Sequence, residues 1–206
     1  MSGLCGWFNR ESPGSVDSRV IASMGASLCR FDGSTVRSAA SAFGAVAASG
    51  TDLDIFQDDD RLVAVSGRAR FADADLSALA QHHGVARALA EGYARKGTDV
   101  LAALSGAFAI AILDDRGGEA MLAIDRMGTH PLCYCVVAGK LVFGSRLDAI
   151  SAFPGSAAEI NRQAIYDYVY FHMVPGPTTI HSGQHRLLPG SSLIWRNRKV
   201  DRKSVV

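Results

Sequence analysis

The chain has 206 residues, 48% hydrophobic and 20% charged, enough apolar surface for one well-cored domain or two small ones. Twenty-one basic residues against twenty acidic ones leave a formal charge of +1. No field of either sign gathers nucleic acid or an anionic membrane, so neither is expected as a partner. The longest apolar run, 107–113, is far too short to span a bilayer, and no basic flank leads into an apolar N-terminal stretch. The cysteines at 5, 29, 133 and 135 form neither a CxxC pair nor a secreted disulfide framework, so a cytoplasmic, reduced protein is the expectation.

Turn-rich punctuation cuts the chain into short segments. Residues 3–9 read as a brief apolar strand ended by Ser12-Pro13-Gly14. The small apolar stretch 42–48 fits a buried strand or a helix turn. Residues 61–71 alternate, Leu62, Ala64 and Ser66 against Val63, Val65 and Gly67, as a strand does. The stretches 73–83 and 85–96 read as helices, with Leu76, Leu79 and Ala80 on one stripe, Asp73 as N-cap and Gly97 as stop. Four closely spaced strands follow at 107–114, 120–125, 132–137 and 140–145, with turns at 115–118 and 138–139 that predict two antiparallel hairpins. Asn161 caps a helix running to about His172, broken by Val174-Pro175-Gly176-Pro177. A last short strand covers 193–195, and 196–206 is basic and weakly patterned. The pattern is α+β, one domain, without repeats.

Few residues point to chemistry by themselves. Cys5 is a nucleophile if a base or a lowered pKa activates it, and otherwise a small buried hydrophobe. Cys133 and Cys135 share one strand face and lack the second ligand pair of a closed zinc site, so they read as core. His82-His83 suits the negative end of a helix. Asp58-Asp59-Asp60 reads as a solvated loop, and the cluster Arg196, Arg198, Lys199, Arg202 and Lys203 as a solvated tail. No GxGxxG, GxxxxGK[ST], HExxH or GxSxG is present.

The order of motifs says more. Cys5-Gly6 opens the chain. Then come Leu104-Ser105-Gly106-Ala107-Phe108-Ala109-Ile110-Ala111, Asp125-Arg126-Met127-Gly128-Thr129-His130-Pro131-Leu132, Phe143-Gly144-Ser145, Pro175-Gly176-Pro177-Thr178-Thr179-Ile180 and Leu187-Leu188-Pro189-Gly190. This series resembles the N-terminal class II glutamine amidotransferase domain of glutamine-hydrolysing asparagine synthetases. The resemblance implies an Ntn-hydrolase fold, a four-layer αββα sandwich of two antiparallel sheets, over residues 1–195. It implies that 196–206 is a basic tail or the start of a linker to an ATP-dependent synthetase domain. That domain is recognised by an S-G-G-x-D-S pyrophosphate loop, absent here. In the family a cysteine directly after the initiator methionine attacks glutamine and releases ammonia. The synthetase domain then uses ammonia on a carboxylate that ATP activates. No cofactor is expected in this domain, since ATP and Mg belong to the synthetase. The partners implied are glutamine, if the site is active, and the synthetase domain; a homodimer stays open.

The site motifs depart from the family pattern. Cys5 is preceded by Ser2, Gly3 and Leu4, about 10 Å of extended chain, so it becomes N-terminal only by processing. Ser2 as nucleophile is set aside as three residues out of register. Arg30 is the nearest match to the arginine that clamps the glutamine carboxylate. Ser66 and Gly67 stand where the family has the asparagine and glycine of its oxyanion hole. Arg68 replaces the glutamate that meets the substrate ammonium, turning attraction into repulsion. Val85 falls where a second ammonium partner is expected. These losses together predict impaired glutaminase activity. The alternative is an inactive scaffold domain of the kind kept by β-lactam and lasso-peptide macrolactam synthetases, which use an internal amine.

Overall fold

A computed structural model describes residues 3–10, 17–29, 34–156 and 159–204. In chain order its elements are β1 (Gly3–Phe8), α1 (Ser18–Leu28), β2 (Val36–Ala40), β3 (Gly44–Ser49), β4 (Leu53–Gln57), β5 (Arg61–Phe71), α2 (Ala74–His83) and α3 (Val85–Lys96). A 3-10 turn at Gly97–Ala103 leads into β6 (Leu104–Asp114), β7 (Glu119–Ile124), β8 (Cys133–Val137), β9 (Lys140–Gly144) and α4 (Leu147–Ser151). The chain continues with α5 (Arg162–Phe171), β10 (His185–Arg186), β11 (Ser191–Arg196) and β12 (Lys199–Ser204).

The strands make two six-stranded sheets, in the orders β10-β8-β9-β1-β3-β2 and β12-β11-β7-β6-β5-β4, with every pairing antiparallel. Strand alternation assigns each side chain to a layer. Leu4 and Phe8 of β1 meet Leu62 and Ala64 of β5 and Ala109, Ala111 and Leu113 of β6 between the sheets. Cys5 and Trp7 point the other way, into a layer closed by Ile21, Met24 and Leu28 of α1 and Ala149 and Ile150 of α4. Val63 and Val65 point outward from the second sheet onto Leu76 of α2 and Ala86, Leu89 and Tyr93 of α3. The result is the expected αββα sandwich.

Local chemistry sets the helix ends. Asp73 caps α2 by accepting the Leu76 N–H at 3.1 Å, and Gly97 ends α3 by donating its N–H to Tyr93. Asp54, across on β4, accepts the Ala86 N–H at 2.9 Å and so completes the first turn of α3. Asn161 caps α5 through Gln163 N–H at 3.0 Å.

Several elements depart from the sequence reading. The ambiguous stretch 42–48 resolves into β3, and β6 begins at Leu104, three residues before the expected 107. Helix α1 was not expected: its buried stripe of Ile21, Met24, Gly25 and Leu28 has the right spacing but is diluted by serine and glycine. Strands β2 and β4 are half-buried edge strands whose patterning is weak. Residues 196–206, read as a basic tail or linker, carry β12 instead. It pairs with β11 from Ser191↔Ser204 to Arg196↔Lys199, because alternate polar residues suffice where an edge strand faces water. Cys133 and Cys135 fill the layer under α1 and α4, as read. Among the described residues no helix is long and apolar enough to cross a membrane.

Candidate functional site

A cleft opens at the head of β1. Gly3, Leu28, Thr129, His130, Ser145 and Arg146 line this space of about 260 Å³. Asp125 anchors the loop that carries Thr129 and His130 into the cleft wall. Its buried carboxylate collects the backbone N–H groups of Met127 (2.9 Å), Thr129 (3.0 Å), Phe108 (3.2 Å) and His130 (3.3 Å), and the Thr129 hydroxyl at 3.2 Å. Burial alone would raise its pKa, but these donors outweigh burial and hold the carboxyl below its ordinary value. The bonds fix the turn 125–130 and with it the His130 ring. That ring lies edge-on to Gly67: a Cβ placed on Gly67 would stand 2.7 Å from His130 Nε2, and φ there is +101°. Only glycine fits this approach. Ser145 completes the wall by accepting the Leu4 N–H at 3.1 Å and donating its own N–H to Leu4 O at 2.8 Å.

The residues singled out from sequence do not converge on this cleft. Cys5 lies two residues deeper in β1, fully buried, with its side chain under α1. Burial pushes its thiol up to about 12, against a smaller lowering by the Ala47 backbone, so it stays protonated at neutral pH. Its strand neighbours are tied down: Gly3 and Leu4 pair with Ser49 and Ala48 of β3, and Leu4 bonds Ser145. Processing at the 4–5 bond would have to open a strand flanked on both sides. Gly3, rather than Cys5, reaches the cleft, and the residue preceding it in the sequence is Ser2. Ser2 and Arg30 lie outside the described residues.

Ser66 is fully buried between the sheets, and its hydroxyl has no hydrogen-bond partner among the described residues. The Gly67 N–H, read as a surviving oxyanion donor, is already given to Asp52 O at 2.7 Å. Arg68 extends into solvent, 76% exposed, and pairs with Asp52 at 3.1 Å. Val85 opens α3 and brings no carboxylate. His130, Asp125 and Ser145 were quoted within motifs but not singled out. Their signal was an acid just past a buried strand followed within five residues by a threonine and a histidine.

A larger, mainly apolar cleft of about 630 Å³ lies among Leu104, Ala107, Phe108, Ile124, Asp125 and Met127 and shares Thr129 with the first. Among the described residues no three His, Cys, Asp or Glu side chains gather as a metal site.

Two antiparallel sheets between helix layers, opening into a cleft at the head of the first strand, define an Ntn-type amidotransferase sandwich. Solved structures share the fold. The allosteric regulatory enzyme of purine biosynthesis superposes with a TM-score of 0.61 at 14% identity, over 99% of this chain and 49% of that one. Glutamine phosphoribosylpyrophosphate amidotransferase from B. subtilis gives 0.56 at 16% identity, over the same shares. A sequence model described as "Glutamine amidotransferase domain" matches residues 70–205, and the chain belongs to that family. Proteins named "Putative asparagine synthetase (glutamine-hydrolyzing)" from Mycobacterium bovis and Mycobacterium tuberculosis are 35% identical over 111 residues. The match takes in 52% of this chain and 17% of those proteins, so the chain spans only a small part of the length of the relatives it matches.

Proposed function

We propose that this chain is the glutaminase-type domain of an asparagine-synthetase-like, ATP-dependent amide-forming enzyme, with its own glutamine hydrolysis impaired. One observation carries the impairment: the Cys5 thiol is sealed under α1 while the cleft lies at Gly3. The filled Gly67 N–H and the Arg68–Asp52 pair support it, because the cleft offers neither an oxyanion donor there nor a free acid for an ammonium group. One lost oxyanion donor costs on the order of 10²–10³ in rate. A site that has lost its hold on free glutamine suits an enzyme taking its amine from the acceptor itself, as in the lactam-forming relatives.

The test is ammonia release from glutamine by the purified chain, with Cys5→Ala alongside. The reading expects release at background from both. Robust release that Cys5→Ala abolishes would overturn it.

A second reading is favoured by the position of Gly3. If the residue before Gly3 stands in the nucleophile's place, Ser2 provides a hydroxyl there. Slow ammonia release lost in Ser2→Ala and kept in Cys5→Ala would mark this reading as the correct one.

A further inference from the structure

Most large apolar side chains exposed on this molecule belong to one element and the segment after it. Helix α5 has ten residues, and only Ala164 is buried. Ile165, Tyr166, Tyr168, Val169, Tyr170 and Phe171 all stand in solvent, with Val169 70% and Tyr170 69% exposed. Met173 continues the patch beyond the helix end.

At 100° per residue, Tyr168, Ile165, Val169, Tyr166 and Tyr170 follow one another around roughly 200° of the helix, with Ala164 opposite the arc. A surface helix ordinarily turns an apolar stripe of about 100° toward its own core. Here the wide apolar arc faces away from the core. The aromatic part is already ordered: Tyr166 and Tyr170 stack with centroids 6.4 Å apart and planes at 7°, and Phe171 meets Tyr170 edge-on at 4.8 Å. Rigid aromatics lose little entropy on being covered. Arg162 and Asp167 are the helix's only charged residues and cancel, so the complementary surface is apolar.

We infer that α5 is the docking element for the ATP-dependent synthetase domain, seated in an apolar groove of that domain. The inference rests on the function proposed above and adds the surface through which it works. Two observations select this occupant over a second copy of the chain. Two copies of a helix about 15 Å long, packed about a two-fold axis, cover one facing stripe each and leave most of a 200° arc wet; a groove embraces it. The matched stretch makes up only 17% of the related synthetases, so most of each relative is sequence outside this match and available to provide the groove. A domain joined to this one, or held in one complex with it, also needs less contact than the roughly 800 Å² per partner of a free association.

The test titrates this chain with the synthetase domain of the same organism, recognised by its S-G-G-x-D-S loop, and measures affinity and hydrogen exchange. Circular dichroism confirms that each variant is folded. Tyr166→Glu with Tyr170→Glu weakens binding by on the order of 10–100-fold. Val136→Ser, which removes an exposed apolar residue on β8, leaves it unchanged. Amides of α5 become protected in the complex. Binding by wild type that the tyrosine changes leave intact would overturn the α5 assignment while the proposed function stands. No binding by wild type would count against the proposed function itself, and the assignment would fall with it. Self-association of the chain abolished by the tyrosine changes would make the second copy the occupant and overturn the inference.

Discussion

The turn 125–130 and the middle of β5 sit against each other through the contact of His130 with Gly67, yet they differ in what holds them. Every group around Asp125 is spoken for: the carboxylate takes four backbone N–H groups and a hydroxyl. In the middle of β5, Ser66 has a hydroxyl with no partner among the described residues, and Arg68 points into water. The first region is demanded by the fold, because a buried N–H without an acceptor costs stability whatever the protein does. In the second, Ser66 and Arg68 owe the fold less, because a lone buried hydroxyl and an exposed ion pair add little stability.

This contrast predicts an order of effects. Asp125→Ala strips the acceptor from four backbone donors and destabilises by about 3–5 kcal/mol in urea unfolding. Because the folded pKa of Asp125 is lowered, its contribution is fully present above the unfolded value near 4 and is lost as pH falls through the folded value. Asp125→Asn should therefore flatten the acid limb of the stability curve and leave its alkaline limb alone. Next comes Glu119, in the scaffold, where the carboxylate is held between the Tyr93 hydroxyl and Arg196. Burial, then the bond to Glu119, raises the Tyr93 phenol, so it remains a donor at any ordinary pH. Glu119→Gln should cost about 2–3 kcal/mol by the same measurement.

Ser66 and Arg68 on β5 should respond weakly or with opposite sign. Ser66→Ala removes an unsatisfied buried hydroxyl and should stabilise by about 1 kcal/mol, read as a higher urea midpoint at unchanged slope. Arg68→Ala breaks a surface ion pair and should move stability by no more than about 0.5 kcal/mol. An Arg68→Ala loss as large as that of Asp125→Ala would erase the distinction between the two regions.

The same distinction explains what could be read before the fold was known. Strand β5, helices α2 and α3, and the hairpins β6–β7 and β8–β9 were legible because each buries a regular stripe. The motifs Leu104–Asp114 and 125–132 were legible because their glycines and Asp125 answer local backbone needs. The site was legible in its losses but not in its register. A Cys-Gly pair at 5–6 drew the reading to Cys5, whereas pairing of β1 with β3 carries the strand two residues further, to Gly3 at the cleft. Counted from that end, the place directly after Met1 is Ser2, which the sequence reading had set aside. Dipeptide matches carry no information about pairing, and register in a sheet is decided by the neighbouring strands. The filled Gly67 N–H was equally out of reach, since Asp52 is distant in sequence and meets it only through the β4–β5 hairpin.

Strand β12 has a practical consequence for anyone shortening this chain. Lys199, Asp201, Arg202 and Lys203 make it a charged border to the second sheet, while β11 beneath it carries Leu193, Ile194 and Trp195. A version trimmed after residue 195, just past the last motif, would bare the unpaired backbone of that apolar strand. Such an edge is a template for strand addition by neighbouring molecules. Chain trimmed there should precipitate on concentration, as light scattering would show.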